Sequence, residues 1–192
     1  MGISTGASAI LTFNDVADTP EVYGKVTRAL HWGMAVLFVA QFSSAATHLL
    51  LPREHGLREL LWSYHVDLGM TLFLLVIARG AWGLANLSRR PPLHAGLVGR
   101  AALAGHAAIY GLMVIVPSLR ILSAAGSKWG VTYLGLRITP GRETEIAWMN
   151  GLSEWHGELG WVLAFLIAGH IAMAVGWHHH LKRDGALKRM MG

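Results

Sequence analysis

The chain has 192 residues, of which 53% are hydrophobic and only 14% charged, and its mean hydropathy is +0.42. That composition belongs to membrane proteins and leaves room for about four spanning helices with short loops. The absence of cysteine excludes disulfides, iron–sulfur clusters, thiolate metal sites and covalent haem attachment through Cys-x-x-Cys-His. The net charge of +5 does not point to nucleic acid, because the basic residues flank apolar runs, as loops at a lipid surface require.

Residues 1–20 are polar, with Asp15 and Asp18, and have no basic n-region, so no cleaved signal peptide is read there. Residues 1–21 are expected to be a frayed or surface-lying extension, and Pro20 suits a helix start. The first span runs from about Arg28 to Leu50, with His31 near its start and His48 near its end; residues 32–51 hold no Asp, Glu, Lys or Arg. A second span, about Glu59 to Asn86, contains His65, Asp67 and Arg79. The basic loop Arg89-Arg90-Pro91-Pro92 breaks it. Residues 101–119 form a third span with His106 and Pro117, where the missing N–H is expected to kink the helix. Residues 125–150 read as the longest loop. The fourth span holds His156 and His170 and has no Asp, Glu, Lys or Arg from Leu159 to Leu181. The fold class is therefore all-α, an integral membrane four-helix bundle over residues 22–192.

Charge counting orients it. Ten basic residues fall on the side holding both termini and the second loop, against six on the other, so both termini are expected in the cytoplasm.

Three of the spans carry ionisable pairs fourteen residues apart: His65 with Arg79, His106 with Arg120, and His156 with His170. Fourteen residues fall ~40° short of four helical turns and rise ~21 Å, so each pair shares a face at two depths. Ionisable groups inside a membrane are costly and usually functional. Antiparallel threading puts His65, Arg120 and His156 in an outer layer and Arg79, His106 and His170 in an inner one, which His31 joins. On the first helix Gln41, Ser43, Ser44, Ala45 and Ala46 face the outer layer, small enough for a bulky planar group to approach. Bis-histidine ligation of haem iron needs two neutral imidazoles on opposite sides of a ring, and its propionates need cations such as Arg79 and Arg120. The outer haem is assigned to His65 and His156 and the inner to His31 and His170. His106 is read as a hydrogen-bond donor beside the haem. Trp32 and Trp155, each next to a proposed ligand, are expected on haem edges. The bland alternative is that the four histidines are core residues bonded across helices.

Arg28-Ala29-Leu30-His31-Trp32, Tyr64-His65-Val66-Asp67-Leu68-Gly69, Gly105-His106, Trp155-His156-Gly157-Glu158-Leu159-Gly160 and Gly169-His170 together resemble the bacterial cytochrome b561 family over roughly residues 22–191. The resemblance implies a di-haem b cytochrome of the inner membrane that exchanges electrons with quinone. One branch oxidises superoxide and reduces ubiquinone; others are cytochrome subunits of hydrogenases and dehydrogenases. The expected partners are thus lipid, quinone, and a dehydrogenase or a second copy of the chain. Lys128, in the long loop, is a candidate for attracting superoxide, although Glu143, Glu145 and Glu154 weaken a positive field. His106, Asp67 and Glu158 are candidates for delivering protons to reduced quinone. His48 and His55 read as outer-surface residues, and His178-His179-His180 as a solvated helix end. A histidine-lined metal transporter is the weakest reading, since neither internal repeats nor broken midplane helices are evident.

Overall fold

The structure is a computed structural model that describes residues 16–91 and 96–191; Asp15 and Pro92 lie outside the described residues. Among the described residues four helices are long and apolar enough to cross a membrane. In hydrocarbon a helix satisfies every backbone group internally, which is why apolar runs of this length fold this way. The first is α1 (Lys25–Leu50). The second span divides at Tyr64 into α2 (Gly56–Ser63) and α3 (His65–Ala85). The third, α4 (Gly96–Ala125), is longer than its apolar core and runs through Pro117 as one helix. The fourth begins with α5 (Ala147–Asn150) and α6 (Leu152–Ala172), continues as a π-helical stretch, Met173–Lys182, and is followed by α7 (Ala186–Met191).

Packing is uneven around the bundle. α1 lies along α3, α3 along α4, and α4 most extensively along α6. Among the long helices α6 packs closely on α4, and its backbone meets α1 and α3 sparsely if at all. Met34, Leu72, Val76, Met113 and Leu163 form a small buried cluster at mid-bundle. Large apolar side chains such as Phe165 and Val36 remain exposed on the spans, where acyl chains cover them.

The long loop is not structureless. β1 (Val131–Tyr133) and β2 (Leu136–Thr139) pair as an antiparallel hairpin, so the all-α expectation holds for the bundle and not for this loop. Leu134 and Gly135 turn it with φ of 49° and 77°. Two successive positive φ values mark the tight turn that matches strand twist. Leucine is strained there, and Asp67 compensates, its Oδ1 accepting from the Leu134 N–H at 2.8 Å. With the Thr71–Tyr133 hydroxyl contact at 3.1 Å, this docks the hairpin on the start of α3.

At the opposite end the chain departs from a frayed extension. Ala17 and Asp18 are buried. Asp18 accepts from the Gly24 N–H at 2.9 Å and pairs with Arg90 Nε at 3.1 Å. A Cβ on Gly24 would lie 2.3 Å from the carbonyl oxygens of Val16 and Ala17, so only glycine admits the segment. The Tyr23 N–H donates to the Arg189 carbonyl at 3.2 Å, which brings residues 16–24 and α7 to one end of the bundle, here called inner; the hairpin marks the outer end. Replacing Arg90 by Met leaves a buried carboxylate without its cation, at a cost of about 1–3 kcal/mol. Thermal unfolding in detergent is expected to show a lower midpoint for Arg90→Met; an unchanged midpoint would remove the clamp role from this pair.

Candidate functional site

Four histidines of the spans meet in two pairs. At the outer end His65, the first residue of α3, faces His156 of α6 with ring centres 6.2 Å apart and planes at 81°. At the inner end His31 of α1 faces His170 of α6 at 6.3 Å and 80°. Two imidazoles on opposite sides of one iron, with metal–nitrogen bonds of ~2 Å and ~1.1 Å from nitrogen to ring centre, have centres about 6.3 Å apart. Both pairs have the spacing of a shared iron, and both join α6 to a helix it scarcely touches. His106 does not: its ring centre lies 5.2 Å from that of His170, too close for an iron between them.

Hydrogen bonds at the outer pair set its tautomers. Ser44, fully buried on α1, donates its hydroxyl proton to the Gln41 carbonyl at 2.7 Å. Its oxygen therefore accepts from His65 Nδ1, 2.8 Å away. His156 Nδ1 lies 2.9 Å from the Val116 carbonyl, which only accepts. Both rings thus carry the proton on Nδ1 and keep the Nε2 lone pair, the form that binds a metal through Nε2. Gln41 Nε2 approaches His65 Nε2 at 3.2 Å while Gln41 Oε1 is buried without a partner among the described residues, so this amide is the group that would move for a metal. A cavity of ≈ 460 Å³ opens beside the pair, within the range of cofactor pockets. Its wall includes Phe42, Phe73 and Pro117, with Gly69, Gly157 and Gly160 leaving flat backbone on α3 and α6.

The inner pair is held differently. Arg79 of α3 donates from Nη1 to His31 Nδ1 at 2.9 Å, while its Nε is buried without a partner among the described residues. A guanidinium only donates, so this contact puts the His31 proton on Nε2. Metal ligation through Nε2 requires Arg79 to leave His31 for an anion, or the ring to turn. Arg79 also lies over the Tyr110 ring at 5.7 Å. His106 is exposed on α4, its Nδ1 2.7 Å from the Ala102 carbonyl.

The other expected site residues differ in their placement. Arg120 is exposed but close enough to His65 and His156 to act on both electrostatically, and Glu158 is exposed. Asp67 is committed to the hairpin turn. Lys128 is exposed, its ammonium 5.4 Å from the Trp129 ring centre and its own N–H bound to Glu145 Oε1 at 3.2 Å, which sets a negative charge beside it. Trp32 Nε1 donates to the Met190 carbonyl at 3.1 Å and its ring meets His31 edge-on at 5.2 Å. Trp155 is 61% exposed and takes no part in the cavity wall; the tryptophans there are Trp62 and Trp161. His48, expected at the surface, is half-buried in that wall and stacked on Trp62. The signal was present: Gln41, Ser44 and His48 recur at i, i+3 and i+7, one helix face. His55 does lie exposed, its Nδ1 accepting from the Leu57 N–H at the start of α2, and His178 is bound to Asp184 at 2.6 Å on the inner side.

The family model described as prokaryotic cytochrome b561 matches residues 22–192. "Cytochrome b561 homolog 2" of Escherichia coli (strain K12) is 26% identical over 177 residues, covering 91% of this chain and 94% of its own. "Cytochrome b561 homolog 1" of the same organism is 28% identical, covering 88% and 96%. "Probable superoxide oxidase CybB" of Yersinia pestis is 26% identical, covering 88% and 95%. Four spans, paired intramembrane imidazoles and a match over nearly the whole chain lead to one assignment: the protein belongs to the prokaryotic cytochrome b561 family of membrane haem proteins that carry electrons.

Proposed function

We propose that the chain is a di-haem b-type cytochrome that takes electrons from a donor at the outer end, superoxide being the donor favoured, and delivers them to ubiquinone. The observation that carries this reading is the pair of imidazole separations, 6.2 and 6.3 Å, at two depths of one bundle. Two b-type haems supply one-electron carriers when bound. His65 and His156 would hold the outer iron and His31 and His170 the inner. Ser44 and the Val116 carbonyl would keep the ring protons away from the outer metal. Arg79, freed from His31, and Arg120 would neutralise propionates. No side chain acts as a nucleophile. Each superoxide gives up one electron and becomes dioxygen, and two electrons with two protons convert quinone to quinol. Of the candidate proton donors, His106 stands exposed to lipid beside His170, where a membrane-dissolved quinone has access; Glu158 is exposed at the outer level; Asp67 is bound to the hairpin. The basic-residue bias supports an inner-membrane orientation with both termini in the cytoplasm. The 26%-identical relative named as a probable superoxide oxidase supports the choice of donor.

Three outcomes test the reading. His65→Ala and His156→Ala are expected to lose the same haem, and His31→Ala and His170→Ala the other, while His106→Ala keeps both; loss of a haem in His106→Ala as complete as in His170→Ala would overturn the inner pair. Ser44→Ala is expected to weaken retention of the outer haem by ~10–100-fold, as removal of a ligand's hydrogen-bond partner does; unchanged retention in haem-transfer assays would take that role from Ser44. In stopped-flow mixing, superoxide is expected to reduce the oxidised protein and a ubiquinone analogue to re-oxidise it, with Lys128→Glu slowing the first step. Failure of superoxide, with rapid reduction by a co-purifying dehydrogenase, would instead make the chain the cytochrome subunit of that enzyme.

A further inference from the structure

The outer cavity wall contains a stack of three rings, two of which, His48 and Trp62, have no role in the reading above. His48 and Trp62 lie face to face with centres 3.7 Å apart and planes at 20°. Trp62 lies in turn on His65 at 4.5 Å and 26°. The far ring is anchored from outside: Arg58 Nε donates to the His48 carbonyl at 3.1 Å, and its Nη2 approaches His48 Nε2 at 3.4 Å. The stack therefore begins at an arginine of α2, crosses α1 and ends on the face of His65.

A tryptophan near the end of a span ordinarily serves as an interfacial anchor. An anchor needs an apolar body and a polar edge; it does not need two imidazoles stacked on its indole in near-parallel planes. An imidazole bound to iron keeps one soft motion, rotation about the metal–nitrogen bond. The hydrogen bond to Ser44 restrains its edge but tolerates tilt, because hydrogen-bond energy varies weakly near the best angle. The indole restrains its face: turning one way drives ring atoms into Trp62, and turning the other forfeits a stacking contact of about 0.5–1.5 kcal/mol. The angle between two axial imidazole planes governs how far the iron d orbitals that face them are split. That splitting determines the anisotropy of the ferric low-spin signal and contributes to the reduction potential.

Resting on the reading of His65 as a haem ligand, we propose that Trp62, backed by His48, is a positioning residue that holds the His65 ring nearly perpendicular to His156 and so sets the electronic structure of the outer haem. Low-temperature electron paramagnetic resonance of the ferric protein, with a redox titration, tests it. The wild type is expected to give two strongly anisotropic low-spin signals, the outer one identified by its loss in His65→Ala. Trp62→Leu is expected to move the outer signal to a smaller maximal g value and to shift the outer midpoint potential, leaving the inner signal in place. Trp62→Phe restores both, and His48→Leu moves them in the same direction by less. An outer signal and potential unchanged in Trp62→Leu, or moved equally by Trp62→Leu and Trp62→Phe, overturns the proposal. If Trp62→Leu loses the outer haem altogether, His48→Leu, which removes only the backing ring, decides by the same criterion. Persistence of both signals in His65→Ala overturns the ligand reading itself, and is distinguishable because it needs no change at Trp62.

Discussion

A helix in hydrocarbon keeps its backbone hydrogen bonds to itself, so each polar side chain it carries must find a partner across the bundle. In this chain that constraint falls on imidazoles. α6 carries two of them fourteen residues apart, and α1 and α3 each meet one. The helices concerned are those whose backbones stay apart, so the rings are joined across open space and not across a packed seam. α4 acts as the brace: it lies along both α3 and α6, and its Val116 carbonyl holds the proton of His156.

The two ends solve the same problem differently. At the outer end neutral acceptors fix the ring protons and leave the metal-binding lone pairs ready. At the inner end a cation occupies the equivalent position on His31, so on the di-haem proposal ligation there needs the guanidinium to move on to an anion or the ring to turn. On the di-haem proposal, two sites of like geometry and unlike polar surroundings differ in potential.

The spans and the two depths were legible in the sequence because helix geometry converts a spacing of fourteen, as in His65–Arg79, His106–Arg120 and His156–His170, into a shared face; His31 has no such partner and was placed by its depth alone. The layer reading put His106 and His170 at one depth, and they do meet. Other features left weak signals. The break at Tyr64 has no proline or glycine to mark it. The hairpin turns at Leu134-Gly135, where leucine replaces the asparagine or glycine that announces such turns, and its stabiliser, Asp67, lies on another element. Asp18 is buried only because Arg90 and Asn86 reach it from the far end of α3, a meeting no local pattern reveals. His48 looked peripheral because it stands at the end of a span, yet α2 folds Trp62 back over it.

A di-haem cytochrome of this build needs two irons held at two depths by non-covalent ligation. The direct measurement is the haem content of the purified protein: acid–organic extraction and quantification against protein by amino-acid analysis. Two extractable b-type haems per chain are expected. One haem, or none, would contradict the assignment of both histidine pairs.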